Sequence, residues 1–167
     1  MPTSERTLVL IRHAKSSWNN PLLSDYNRPL NERGHRDAPE MGRRLAKRDI
    51  KPDLIIASTA RRAAETAKAI AAGVGYAESA IQWVDELYHC VPAVFAEVLA
   101  GVDDAVKCVF LVAHNPGTSE FAHSLVAGLP AGEVPTCAVI GIKAKASNWK
   151  NLKKEEAKLL FFDTPKN

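Results

Sequence analysis

Leu8-Val9-Leu10-Ile11-Arg12-His13-Ala14-Lys15-Ser16-Ser17-Trp18-Asn19 decides the fold, because an apolar, branched run stops abruptly at an arginine and a histidine. A short, continuously apolar segment suits a strand buried on both faces and puts its first polar residues at the carboxyl end. Open α/β sheets hold their sites at that end. The construction recurs at Asp53-Leu54-Ile55-Ile56-Ala57-Ser58, followed by Arg61 and Arg62, and at Cys108-Val109-Phe110-Leu111-Val112-Ala113, which ends on His114. Three such strands, parallel and adjacent, bring two histidines and at least two arginines to one edge. Each residue alone has an ordinary reading, as a hydrogen-bonded structural histidine or a solvated helix arginine. Coincidence accounts poorly for all three, since a buried strand ending in an ionisable group costs desolvation unless that group meets a cleft or a partner.

Around these strands the elements follow from local signals. Ser16 to Leu30 is rich in Ser, Asn, Asp and Pro and reads as a long, functional loop with a helical turn near Ser16. Asn31 caps a helix to about Arg48, with Met41, Leu45 and Ala46 facing inward, and Pro39 predicts a kink or break near Ala38. The second strand leads through Ser58 or Thr59 as cap into a helix that ends before Gly73, whose alanine face permits close packing. Arg61 and Arg62 in its first turn oppose the helix dipole at about 0.3–1 kcal/mol, a cost that an anion at the same terminus reverses.

A short strand over 80–84 precedes the polar turn Asp85-Glu86-Leu87-Tyr88-His89, and Pro92 opens a helix to Ala100. Asn115-Pro116 supplies the cap and first position of a helix to about Ala127, which leaves His114 just outside its N-terminus. Gly128 to Gly132 is too short a connection for a crossover helix, so Thr136–Ile142 is expected to be antiparallel or at an edge, with Lys143 and Lys145 as charged guards. Leu159–Phe162 is the last strand, after a polar turn over 146–158. The chain, 1–167, reads as a single α/β domain: a three-layer α/β/α sandwich whose central sheet is mostly parallel with an antiparallel edge strand.

Composition bounds the function. With 46% hydrophobic and 25% charged residues, the chain has the make-up of an ordinary soluble globule large enough to bury a two-sided sheet. No apolar stretch is long enough to span a membrane, and Met1 to Glu5 has no signal-peptide core, so a cytoplasmic protein is expected. Cys90, Cys108 and Cys137 are scattered without metal spacing and suggest free thiols. A net charge of +3 without a basic tract argues against nucleic acid: Lys150–Lys154 runs straight into Glu155 and Glu156.

The motifs are specific enough to name a family. Arg12-His13-Ala14-Lys15-Ser16-Ser17-Trp18-Asn19 resembles the Arg-His-Gly-Glu-Ser-x-Trp-Asn signature of the histidine phosphatase superfamily, which includes the phosphoglycerate mutases; Ala14 and Lys15 depart from it. Ser58-Thr59-Ala60-Arg61-Arg62-Ala63-Ala64-Glu65-Thr66-Ala67 is similar to the family's Ser-Pro-x-x-Arg-Ala-x-x-Thr-Ala element, with Thr59 at the usual proline, and selects Arg62 over Arg61. Val112 to Gly117 is similar to its second-histidine turn. Asp25-Tyr26-Asn27-Arg28-Pro29-Leu30-Asn31-Glu32-Arg33-Gly34 resembles a segment of the small phosphohistidine phosphatases, the SixA-like branch.

A histidine between two arginines suits attack by a neutral imidazole on a phosphorus whose oxygens are held by fixed positive charge. The resemblance implies that His13 is the nucleophile, that Arg12, Arg62 and His114 hold the phosphoryl group, and that Ser16 and Asn19 add weaker contacts. Glu86 loosely matches the family's acid-bearing segment and has two readings, a general acid or a solvated turn carboxylate. Other phosphatase designs do not fit. No cysteine is followed six positions later by arginine, there is no P-loop, and Gly73-Val74-Gly75 is an incomplete dinucleotide signature. The five histidines, His13, His35, His89, His114 and His123, lack metal-ligand spacing, so neither metal nor cofactor is required. The chain lacks the extra length that larger family members place over the site. An open cleft for a phosphohistidine on a carrier domain is therefore favoured, with a small phosphorylated metabolite as the alternative substrate. Mutase activity, which needs a closed pocket, fits less well. A non-catalytic phosphate-binding module would not need a nucleophile.

Overall fold

The apolar run beginning at Leu8 is the inner part of a longer strand, β1 (Ser4–Arg12), in a computed structural model that describes residues 2–88 and 91–167. Alternation sorts its side chains: Leu8 and Leu10 enter one core cluster, Val9 and Ile11 the other. The other strands are β2 (Leu54–Ser58), β3 (Gln82–Val84), β4 (Cys108–Ala113), β5 (Val139–Ala146) and β6 (Ala157–Asp163). They form one sheet in the order β3-β2-β4-β1-β5-β6. β1 to β4 are mutually parallel, β5 runs antiparallel to β1, and β6 antiparallel to β5.

Among the described residues four helices cover the two faces: α1 (Glu32–Lys47), α2 (Arg61–Val74), α3 (Pro92–Ala100) and α4 (Gly117–Leu125). Met41, Leu45, Ala67 and Ile70 of α1 and α2 pack with Val9 and Ile11, whereas Phe95, Leu99, Phe121 and Leu125 of α3 and α4 pack with Leu8 and Leu10. Handedness explains the division. The steps β1 to β2 and β2 to β3 move one way along the sheet and the step β3 to β4 moves back, so right-handed crossovers put their helices on opposite faces. The return sets β4 beside β1 while their following helices diverge, and such a switch point leaves a crevice at the carboxyl ends.

Several boundaries differ from the sequence reading. α1 is continuous through Pro39 with no break, because burial of Ala38, Met41, Gly42 and Leu45 outweighs one missing backbone bond. α2 does not end before Gly73 but runs to Val74, with Gly75 in the left-handed conformation closing it. Gly73 instead lies against α1: a Cβ there would sit 2.7 Å from the Gly42 carbonyl carbon. No side chain caps α2; Ser58 Oγ accepts from the Ala60 amide and Thr59 Oγ1 donates to Asp85. α4 begins at Gly117 and ends at Leu125, with Pro116 at the cap and Asn115 Oδ1 accepting from the Ser119 amide at 3.1 Å. β3 begins at Gln82, after a 3-10 turn over Glu78–Ala80.

β5 is antiparallel, one of the two placements expected of it, and β6 pairs along its outer side as the antiparallel edge strand. The 16–30 loop has its helical turn at Asp25–Asn27 rather than near Ser16, and Ser16 bridges Leu30. Gly34 lets α1 start there: a Cβ would lie 2.2 Å from the Lys15 carbonyl oxygen, which accepts from the Asn31 amide. Met1, His89 and Cys90 lie outside the described residues. Among the described residues no helix is long and apolar enough to cross a membrane.

Candidate active site

Register places the two histidines together. Arg12 pairs with Ala113 across β1 and β4, so His13 and His114 leave the sheet side by side, both buried, with ring centroids 5.1 Å apart. Ser58, at the end of β2, lies 2.8 Å from His114 Nε2 through its hydroxyl. The His13 backbone is fixed on both sides: its amide donates to the Ala113 carbonyl, and its carbonyl accepts from the amide of Cys137. Cys137 itself has φ of 61°, a conformation few non-glycine residues adopt, where the chain turns towards β5.

The electronic state of His13 follows from its surroundings. Nδ1 lies 2.8 Å from the Ala14 carbonyl oxygen, which can only accept, so Nδ1 carries the proton and Nε2 keeps its lone pair. Burial pushes the His13 pKa down to about 4, and the charges of Arg62, Arg12 and Arg28 add to that shift against the opposing Ala14 bond. A buried imidazole that stays neutral among three guanidinium groups presents a lone pair beside fixed positive charge. Arg12 donates from Nη1 to the Val134 carbonyl at 2.7 Å, while its buried Nε has no hydrogen-bond partner among the described residues. Burial also lowers the Arg12 pKa, with Glu133 acting in the opposite sense.

Arg61 and Arg62 separate as neighbours in a first helical turn must. Arg61 is exposed beside Glu65, whereas Arg62 is buried and reaches the 16–30 loop. Its Nη1 and Nη2 donate to the carbonyl and the carboxylate of Asp25. Thr66 ties the two halves of the site together, accepting from the Ala14 amide at 2.9 Å and donating to the Arg62 carbonyl at 2.8 Å.

Two strand-end histidines, one of them a fixed neutral tautomer, and a buried arginine on the next helix thus meet at one sheet edge. Residues 8–88, which carry Arg12, His13 and Arg62, match the family model described as histidine phosphatase superfamily (branch 1). The chain belongs to the histidine phosphatase superfamily. Relatives extend the likeness over most of its length. It is 30% identical over 152 residues to an uncharacterised chloroplastic protein of Arabidopsis thaliana, covering 86% of this chain and 69% of that one. It is also 30% identical over 165 residues to an uncharacterised protein of Mycobacterium tuberculosis, covering 93% of this chain and all of the other. Among solved structures, one from Agrobacterium tumefaciens, provisionally assigned as the phosphohistidine phosphatase SixA, superposes with a TM-score of 0.80 at 29% identity over 99% of each chain.

The remaining sequence candidates of this superfamily member are Ser16, Asn19 and Glu86. Ser16 is buried, but its hydroxyl accepts from Arg28. Asn19 is exposed and lines a surface groove with Ser17, Asn31, Arg33 and His35, a set that includes neither His13 nor His114. Glu86 is exposed in the 3-10 turn Asp85–Leu87 that follows β3. Among the described residues no group of three or more His, Cys, Asp or Glu is placed to hold a metal ion. Burial pushes the Cys108 and Cys137 thiols up to about 12, so neither is a nucleophile at neutral pH.

Sequence reasoning gave no role to Asp25, Arg28, Thr66 or Tyr88, and treated Ser58 only as a candidate helix cap. Each lies within or next to a quoted motif, but motif spacing does not say which polar residue points inward.

Proposed function

We propose that this chain is a hydrolase that removes phosphoryl groups through a phosphohistidine on His13, with a protein-borne phosphohistidine as substrate. The observation that carries the reading is the fixed tautomer of His13, with Nδ1 spent on the Ala14 carbonyl and Nε2 free to attack. In the first step the Nε2 lone pair forms a bond to phosphorus. The bond from phosphorus to the substrate nitrogen breaks, and its electron pair leaves with that nitrogen. In the second step water attacks the phosphorus of phospho-His13, and the breaking bond returns its electron pair to Nε2. Arg12, Arg62 and His114 are proposed to hold the phosphoryl oxygens, in forks where guanidinium geometry allows. A substrate imidazole whose other nitrogen is protonated departs as a neutral ring, so Glu86 is not required as general acid.

The likeness to a chain provisionally assigned as SixA supports the substrate class. Among the described residues Cys108 and Cys137 are free thiols, in keeping with a cytoplasmic setting. The test is an assay of a phosphohistidine protein, an aryl phosphate and a sugar phosphate, without added metal, for wild type, His13→Asn and Glu86→Gln. The expected result is preference for the phosphohistidine protein, abolition in His13→Asn and little change in Glu86→Gln. Faster hydrolysis of the sugar phosphate with a large loss in Glu86→Gln would indicate a metabolite phosphatase. Equal activity of His13→Asn and wild type would mean that turnover does not run through His13, and no turnover of any substrate by wild type would leave only a binding module.

A further inference from the structure

Arg62 does not reach the pocket unsupported. Its Nη1 donates to the Asp25 backbone carbonyl at 2.7 Å and its Nη2 to Asp25 Oδ2 at 3.0 Å. That carboxylate also accepts from the Tyr88 hydroxyl at 2.5 Å and from Arg28 Nη1 at 2.8 Å. Arg28 in turn donates to the Ser17 carbonyl and the Ser16 hydroxyl, and Tyr88 sets the edge of its ring against His114, centroids 5.6 Å apart. One carboxylate therefore ties together the 16–30 loop, the first turn of α2 and the turn after β3.

Resting on the reading above, in which Arg62 holds the phosphoryl group, we infer that Asp25 is a positioning residue that fixes the Arg62 guanidinium and so aims its remaining donors. A long arginine side chain otherwise loses rotamer freedom each time it closes on an anion. Anchoring it in the folded protein removes that cost from binding and leaves a preorganised dipole for the charge that develops in the transition state. Asp25 takes one hydrogen bond from each terminal nitrogen, and a guanidinium has further N–H groups in the same plane to offer an oxyanion. The opposite role, an internal anion that phosphate must displace, fits less well. Displacement would break the bonds from Arg28 Nη1 and the Tyr88 hydroxyl to Asp25 as well as free Arg62. The carboxylate is held ionised well below the usual range, chiefly by the Tyr88 hydroxyl and with help from Arg28 and Arg62, so it stays charged whenever the enzyme works.

The experiment measures orthovanadate binding and aryl phosphate hydrolysis by the full chain in wild type, Asp25→Asn, Asp25→Glu, Tyr88→Phe, Arg62→Ala and Asp25→Asn/Arg62→Ala, each checked for an intact thermal transition. Asp25→Asn should weaken vanadate and lower kcat/KM by about tenfold, the loss of one charge-assisted bond. Asp25→Glu should recover part of this, and Tyr88→Phe should lose less. In the Arg62→Ala background Asp25→Asn should cost nothing further, because its effect runs through Arg62. The inference is overturned by an unchanged Asp25→Asn, by tighter vanadate binding in it, or by an equal loss with and without Arg62. If Arg62→Ala itself binds vanadate as wild type does, the underlying reading of the pocket fails and this inference with it. If Arg62→Ala is impaired and Asp25→Asn is not, the inference alone fails. Should Asp25→Asn not fold, Tyr88→Phe in the two backgrounds makes the same comparison.

Discussion

Acid titration of the fold isolates His13. The residue is 8% exposed and its pKa is pushed down to about 4, against 6.5 for a free histidine, mainly by burial. Below 6.5 the unfolded chain takes up a proton that the folded chain refuses. This contribution to stability is therefore whole above pH 6.5 and is lost as the pH falls towards 4. At about 1.4 kcal/mol per pH unit, the loss at the acid end is about 3 kcal/mol. His13→Asn keeps an N–H near the position of Nδ1 for the Ala14 carbonyl and has nothing to titrate. Urea unfolding from pH 7 to pH 4, at constant ionic strength and without phosphate, should show wild type losing stability more steeply than His13→Asn. The difference between the two curves should grow by about 3 kcal/mol, and the acids common to both cancel in it. Parallel curves would mean that folded His13 takes a proton as readily as the unfolded chain, and the neutral nucleophile would lose its physical basis.

Inorganic phosphate at constant ionic strength should raise the melting temperature of wild type, by the equivalent of about 2.7 kcal/mol at a hundredfold excess over Kd, and should leave Arg62→Ala unmoved. At the other end of β1, Arg6 is buried and donates to the carbonyls of Asp104, Val106, Ala146 and Ser147. Arg6→Met removes those four bonds and should cost on the order of 3 kcal/mol in denaturant unfolding, with turnover of the folded fraction unchanged. Gly73→Ala should destabilise by roughly 1–3 kcal/mol although alanine is the better helix former, because its Cβ has no room beside Gly42. Gly101→Ala, whose nearest neighbour would be 3.6 Å away, is the control and should change stability by less than about 0.5 kcal/mol.

The strand–charge pattern at Arg12, Arg62 and His114 was legible because a parallel strand buried on both faces has to be apolar until it ends, so the first polar residue marks the end. Burial on both faces also made the class of sheet readable, and the short link over Gly128–Gly132 left the next strand antiparallel or at an edge, of which the structure shows the first. Local signals misled where packing outvoted them. Pro39 is tolerated inside α1 because the helix buries Met41 and Leu45, and Gly73 is a contact between helices rather than a stop, which only the meeting of α1 with α2 reveals.

Chain order and residue type were sufficient for the α/β class, for the parallel core and for the presence of His13, Arg12, Arg62 and His114 at one edge, because these depend on periodicity and on the cost of burying charge. The placing of β4 beside β1 was not readable, since nothing local distinguishes a neighbour from a strand one place further along. That adjacency sets the histidine rings 5.1 Å apart. The burial of Arg62 with Arg61 left in solvent and the carboxylate of Asp25 behind Arg62 depend likewise on residues 37 positions apart meeting in space, whereas the tautomer of His13 is set by its sequence neighbour Ala14. Desolvation and hydrogen bonding act through that space, and so the chemistry of these side chains is set by the tertiary structure.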